Sequence, residues 1–124
     1  MMLLSIETEN MSKIVEEYEN GAYRELTRAV ARLKQGDFSV KLPTDKYDGD
    51  VARTFEEFNA FIDDMKSLFL EILRVANEAV NGNLDVKADV IAYGEYAKLV
   101  ENTNKLIDAI VVPIREGMSA VSYT

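Results

Sequence analysis

Asp45, Asp48 and Asp50 stand close enough together to suggest a divalent cation site. An EF-hand loop needs acids at alternate positions and a glutamate at position twelve, and no start in this segment supplies both. Arg24, Arg28 and Arg32 recur every fourth residue and share one helix face. That is the spacing of a solvated basic stripe, or of one paired with the acids Glu56, Glu57, Asp63 and Asp64. Asp50 and Glu95 each follow a glycine at the expected start of a helix, where the helix dipole favours a carboxylate. Asn59 and Asn104 lie beside apolar runs, placed either to fix register or to face water.

The composition removes most other chemistry. Among 124 residues there is no His, Cys or Trp. Disulfides, thiolate or imidazole metal ligation, Ser-His-Asp or Cys-His catalysis and phosphoaccepting histidine are excluded. Carboxylate, Lys, Ser and Tyr chemistry remains, but no pair forms a recognisable site, so no catalytic, cofactor-binding or metal-binding residue and no small-molecule substrate is expected. With 14 basic and 22 acidic residues the net charge is −8, which opposes nucleic-acid binding. No apolar run approaches the ~18 residues of a membrane span, and the start of the chain lacks the basic region of a secretion signal. A cytoplasmic segment is expected, with no direct membrane insertion of its own, in a parent protein that is soluble or membrane-anchored.

These residues are positioned by a repeat. ARLKQGDFSV at 31–40 aligns with NEAVNGNLDV at 77–86 at an offset of 46, and DVARTFEEFNAFIDDM at 50–65 aligns with EYAKLVENTNKLIDAI at 95–110 at an offset of 45. Each unit reads as helix, glycine-started connector, helix. Val51, Phe55, Phe58, Ile62, Met65, Phe69, Ile72, Ala76 and Ala79 alternate steps of four and three, a coiled-coil seam. The second helix of unit one therefore continues into the first helix of unit two, as a rod of about 30 residues and ~45 Å. Tyr23, Leu26, Val30 and Leu33 give the same phase before Gly36. Tyr96, Val100, Thr103, Ile107, Ile110 and Ile114 give it after the second connector. Leu4, Met11, Ile14 and Tyr18 suggest a leader helix interrupted around Asn20 and Gly21.

The connectors, residues 36–49 and 82–94, are longer than the ~2 to 8 residues an antiparallel helix pair needs. Extended, each can run back along its helix and start the next one in parallel. Phe38, Val40 and Leu42, and Leu84, Val86 and Ala88, alternate like a half-buried strand or like an extended segment pinned between helices. Gly36 and Gly82 suit a left-handed helix C-cap in either case. A second seam through Phe61, Leu68 and Val75 adjoins the one through Ile62, Phe69 and Ala76. Two neighbouring seams let a helix turn about its axis and keep its core buried, or reflect only the wide apolar face of any bundle helix.

GDFSVKLP at 36–43, Asp50 before Asn59 in TFEEFN, and Ile62 and Met65 resemble the HAMP signalling module of chemoreceptors (methyl-accepting chemotaxis proteins) and two-component histidine kinases. The second unit repeats the resemblance in GNLDV at 82–86, GEY at 94–96 and NTNKLID at 102–108, and Pro113 stands where a third unit would open. The family's DExG motif is reduced to Gly49-Asp50 and Gly94-Glu95, with Ala52 and Ala97 in place of its glycine, as in divergent, concatenated HAMP units.

The resemblance implies an all-α fold of parallel homodimeric four-helix bundles, two helices per chain in each unit, stacked end to end through the shared helix. The expected organisation is a leader helix over 1–20, HAMP-like units over 21–66 and 67–112, and the start of a third unit or output coil over 113–124. Gly36, Phe38, Leu42, Gly82, Leu84 and Val86 would anchor the connectors, Asp50 and Glu95 would start helices and clamp the first helix, and Pro113 would mark a junction. Leu26, Val30, Leu33, Phe55, Phe58, Ile62, Met65, Phe69, Ile72, Val100, Ile107 and Ile110 would form the bundle core. The partners implied are a second copy and the adjacent sensor and output domains of the parent chain. The function implied is conformational relay; the alternative is a structural coiled-coil dimerisation or adaptor protein.

Overall fold

A computed structural model describes the backbone of residues 2–122 and the side-chain surroundings of residues 6–114 and 117. The seam position expected at Leu4 and the side chains of the expected final segment beyond 117 lie outside these residues, as do residues 1, 123 and 124 altogether. Among the described residues the chain is all-α, with helices α1 (Met2–Lys34), α2 (Gly49–Val80) and α3 (Gly94–Ser122) and no strand. It divides into two compact units, Met1–Asp63 and Asp64–Thr124. The long shared helix expected from the seam is α2, 32 residues without a break. No described helix is long and apolar enough to cross a membrane.

The interruption expected around Asn20 and Gly21 is absent, and α1 is continuous through both. Glycine inside a helix costs about 1 kcal/mol relative to alanine. Here it answers a steric need, because a Cβ at position 21 would lie 3.2 Å from Tyr47 Oη. Helices α1 and α2 end as expected. Gly36 and Gly82 take φ of +82° and +92°. The Asp37 N–H then reaches Arg32 C=O at 3.0 Å, and the Asn83 N–H reaches Glu78 C=O at 2.9 Å, each closing a Schellman cap.

The connectors run back along their helices, as their length requires. In the first unit the Asp48 N–H meets Tyr18 Oη at 2.8 Å. Since α1 ends at Lys34, α2 starts about 24 Å back along it and runs parallel to it. In the second unit the Asp89 N–H meets Glu71, about 13 Å back from the end of α2, so α3 is parallel to α2 there. Neither connector forms a strand; both are extended segments pinned to helices.

Each unit has its own core. The first gathers Ala22, Ala29, Val40, Leu42, Phe55 and Ile62, flanked by Leu26, Leu33, Phe38, Tyr47, Val51 and Phe58. The second gathers Val75, Val86, Ala88, Ile107 and Val111, flanked by Ile72, Ala79, Leu84 and Val100. Met65 is half-buried.

Three expected core residues are exposed within the chain: Val30 (44%), Phe69 (54%) and Ile110 (43%). On α1 the inward positions are Ala22, Leu26, Ala29 and Leu33, one residue ahead of the expected Tyr23 and Val30 at two places. The small alanines, rather than the larger neighbours, let α2 and the connector approach. On α2 the buried line runs through Phe55 and Ile62 and then through Leu68 and Val75. The step from 62 to 68 is one short of a heptad, so burial passes from one apolar seam to its neighbour and leaves Phe69 outside. On α3 burial falls on Val111 in place of Ile110.

Phe55→Ala removes a fully buried ring and is expected to lower unfolding free energy by about 3–5 kcal/mol. Leu70→Ala, on an exposed face, should change it by less than about 0.5 kcal/mol. Urea denaturation of the two variants checks the contrast.

Candidate functional site

The polar groups that organise the chain converge on the connectors. Leu42 donates its N–H to Asn59 Oδ1 at 2.8 Å, and Asn59 Nδ2 donates to Leu42 C=O at 3.0 Å. Asn104 does the same to Ala88, at 2.7 Å and 3.1 Å. A carboxamide carries one acceptor and two donors, so a single side chain satisfies both backbone groups of one connector residue. With Leu42 and Ala88 buried, each clamp holds the extended chain at a fixed depth against the following helix.

Each connector also has a polar hinge where it leaves its helix. Asp37 Oδ1 accepts from the Ser39 N–H at 2.9 Å and from Ser39 Oγ at 2.6 Å, while Arg32 Nε donates to Asp37 Oδ2 at 2.9 Å. These bonds to the charged form, the Ser39 hydroxyl first, hold the Asp37 carboxyl down at about 2. The second unit replaces the charge pair: Asn83 Oδ1 accepts from the Asp85 N–H at 3.2 Å and Asn83 Nδ2 donates to Glu78 at 2.7 Å.

Beyond the clamps the two units diverge. In the second, Glu71 accepts from Arg74 Nε at 2.6 Å and from the Asp89 N–H at 2.7 Å, and Arg74 also donates to Lys87 C=O at 3.0 Å. The Arg74 hydrogen bond, followed by the Asp89 N–H, lowers the Glu71 pKa below the usual glutamate value. In the first unit Tyr18 Oη donates to Asp48 Oδ1 at 3.0 Å and accepts from the Asp48 N–H at 2.8 Å. The Tyr47 ring packs edge-on against both Tyr18 and Phe55, with centroids 5.0 Å apart in each pair.

The residues singled out in the sequence are distributed as follows. Gly36 and Gly82 cap helices, Phe38 and Leu84 are half-buried, and Leu42 and Val86 are buried, so all six expected anchors lie at the connectors. Asp50 and Glu95 occupy the first turns of α2 and α3. Their side chains point to solvent and pair locally, Asp50 with Arg53 and Glu95 with Lys98, and neither reaches the first helix of its unit. That contact is made by Asp48 instead. Asp45, Asp48 and Asp50 do not gather at one point: Asp48 goes to Tyr18 and Asp50 to Arg53. Arg32 leaves the basic stripe to pair with Asp37, while Arg24 and Arg28 are exposed. Pro113 lies inside α3, which continues past it.

The sequence singles out Asn59 and Asn104 by the same residue type at the same place in both repeats, but not their connector partners, and it does not reveal the Tyr18 contact. Tyr18 carries no such signal, because it has no tyrosine counterpart in the second unit.

Asn59→Ala and Asn104→Ala each leave a partly buried N–H and C=O unpaired and are expected to cost about 1–3 kcal/mol. Amide exchange should accelerate at Leu42 in the first variant and at Ala88 in the second, each without the other. Asp37 gives a pH signature. Its carboxyl sits lower in the folded chain than its ordinary value of about 3.9, so its contribution is full above that value and is lost as pH falls toward about 2. The Ser39 amide proton shift should therefore titrate with a midpoint near 2; a midpoint near 4 would show that the hinge does not form.

No protein-family model, curated protein or solved structure matches this chain.

Proposed function

We propose that this chain is a HAMP-like signal relay: a parallel homodimer in which each unit is a four-helix bundle, carrying a change of helix packing from an upstream sensor to a downstream output domain of the same cytoplasmic parent chain. The observation that carries this reading is that α2 bears two apolar seams and each of its segments buries only one within the chain. Phe61, Phe69 and Leu73 are left exposed on α2, and Tyr96, Leu99, Leu106 and Ile110 are exposed on α3 at steps of three, seven and four. The three-four spacing of exposed apolar residues on α3 is the surface a second helix pair covers.

Pairing of two copies about a twofold axis presents the same seam from both chains. With the connectors clamped by Asn59 and Asn104, the freedom left to such a bundle is the choice of seam on each helix. In this reading the work is done by packing, with no catalysis, substrate or cofactor.

Light scattering should give about twice the 14.0 kDa chain mass; a monomer at working concentration overturns the proposal. The sequence has no cysteine, so single substitutions report cleanly. Cysteines at Phe61 and Phe69 should cross-link between copies, while those at Ile62 and Leu68 should not, and the preference should shift when the parent's sensor changes state. A dimer whose pattern never changes is a scaffold, not a relay.

A further inference from the structure

The bond that ties the start of α2 to α1 has an exchanged counterpart in the second unit. First helices of the two units correspond at an offset of 46, and second helices at 45. Tyr18 therefore maps onto Asp64, and Asp48 onto Tyr93. The backbone supports the second assignment, since Ala52 N–H to Asp48 C=O and Ala97 N–H to Tyr93 C=O are both 3.3 Å, one residue before the glycine that opens each helix. One phenol and one carboxylate thus stand at the same two places in each unit, with their roles reversed. In the first unit they are bonded; in the second, Tyr93 is 79% exposed and Asp64 is exposed.

The second pair lacks what holds the first one shut. By the same offsets Tyr47, which packs on Tyr18 and Phe55, corresponds to Ala92, and Gly21, which makes room for it, corresponds to Ser67. The reach is sufficient. With the Asp89 N–H on Glu71, the four residues to Tyr93 span up to about 13 Å. Along α2 from Glu71 to Asp64 the distance is about 10 Å.

We infer that Asp64 and Tyr93 form a second latch, open in this structure, which closes when the Tyr93 hydroxyl donates to the Asp64 carboxylate and ties the start of α3 to α2. Both side chains are exposed, so closing displaces no packed group, and a change in helix packing can select between the open and closed forms. As part of a relay the latch rests on the proposed function; as a bond within one chain it does not.

Two measurements on the full chain test it. The pairs Tyr18→Cys with Asp48→Cys and Asp64→Cys with Tyr93→Cys are oxidised mildly and intramolecular disulfide formation is followed. Both should close, the second about twofold more slowly because its open and closed forms are comparably populated. A second pair that stays reduced while the first oxidises overturns the latch. Amide exchange over residues 95–99 is then compared for Asp64→Asn, Tyr93→Phe and the double variant. Each single change should speed exchange about two- to threefold, and the double variant no further. Additive effects, or none, overturn the bond, and this comparison decides if neither cysteine pair oxidises. A latch that forms identically in monomer and dimer, and whatever the state of the sensor, leaves the bond standing and removes the relay.

Discussion

The whole chain depends on one hydrogen-bonding match, that of an asparagine carboxamide to the peptide groups of a single connector residue. An extended segment laid against a helix has no regular partner for its N–H and C=O groups, and leaving them unpaired in a half-buried groove is costly. Asn59 and Asn104 supply donor and acceptor together, at 2.7–3.1 Å, to Leu42 and Ala88. Once that residue is fixed, period-two alternation sends Val40 and Leu42, or Val86 and Ala88, inward. The depth of the connector then sets how far back the chain returns, and so the parallel direction and axial register of the next helix.

What the sequence disclosed follows from which features are periodic. The seams, the shared rod through α2, the capping glycines and the inward connector residues all repeat at a fixed spacing and were legible. Residues that act once were not. Tyr18 looks like another apolar member of a leader helix until Asp48 is seen beside it. Gly21 looks like a break because its reason, Tyr47, lies 26 positions away. On α1 the residues buried within the chain sit one ahead of Tyr23 and Val30 for a different reason. A hydrophobicity count prefers Tyr23 and Val30 to Ala22 and Ala29, but close parallel packing around Phe55 favours the smaller side chains. Asp50 and Glu95 stand in helix first turns, where their local pairs with Arg53 and Lys98 differ from the clamp on the first helix that the resemblance implies.

The two apolar seams of α2 are both in use, in succession. Its first segment serves as the second helix of one unit and buries Phe55 and Ile62; its second segment serves as the first helix of the next and buries Leu68 and Val75. The six-residue step between Ile62 and Leu68 provides that change without a break in the helix. Part of the width of the apolar face is thereby explained by geometry alone. The part left over is the exposed ridge of Phe61, Phe69 and Leu73.

The two units share a scaffold but hold it with different chemistry, and one residue pair shows why. Glu25 and Arg28 stand in the first unit where Glu71 and Arg74 stand in the second, 46 residues on. Glu71 works because Asp89 offers it an N–H. The corresponding connector residue in the first unit is Pro43, which has no N–H to give. An ionic clamp cannot be completed there, and the first unit relies on the buried Leu42, the half-buried Phe38 and Tyr47, and the tyrosine bond to Asp48. Each unit thus keeps an arginine–carboxylate pair that salt screens, Arg32–Asp37 where the first connector leaves α1 and Arg74–Glu71 against the second connector. The two units therefore place their charge pair at different points of the connector, the first where the chain leaves its helix and the second where it lies back along one.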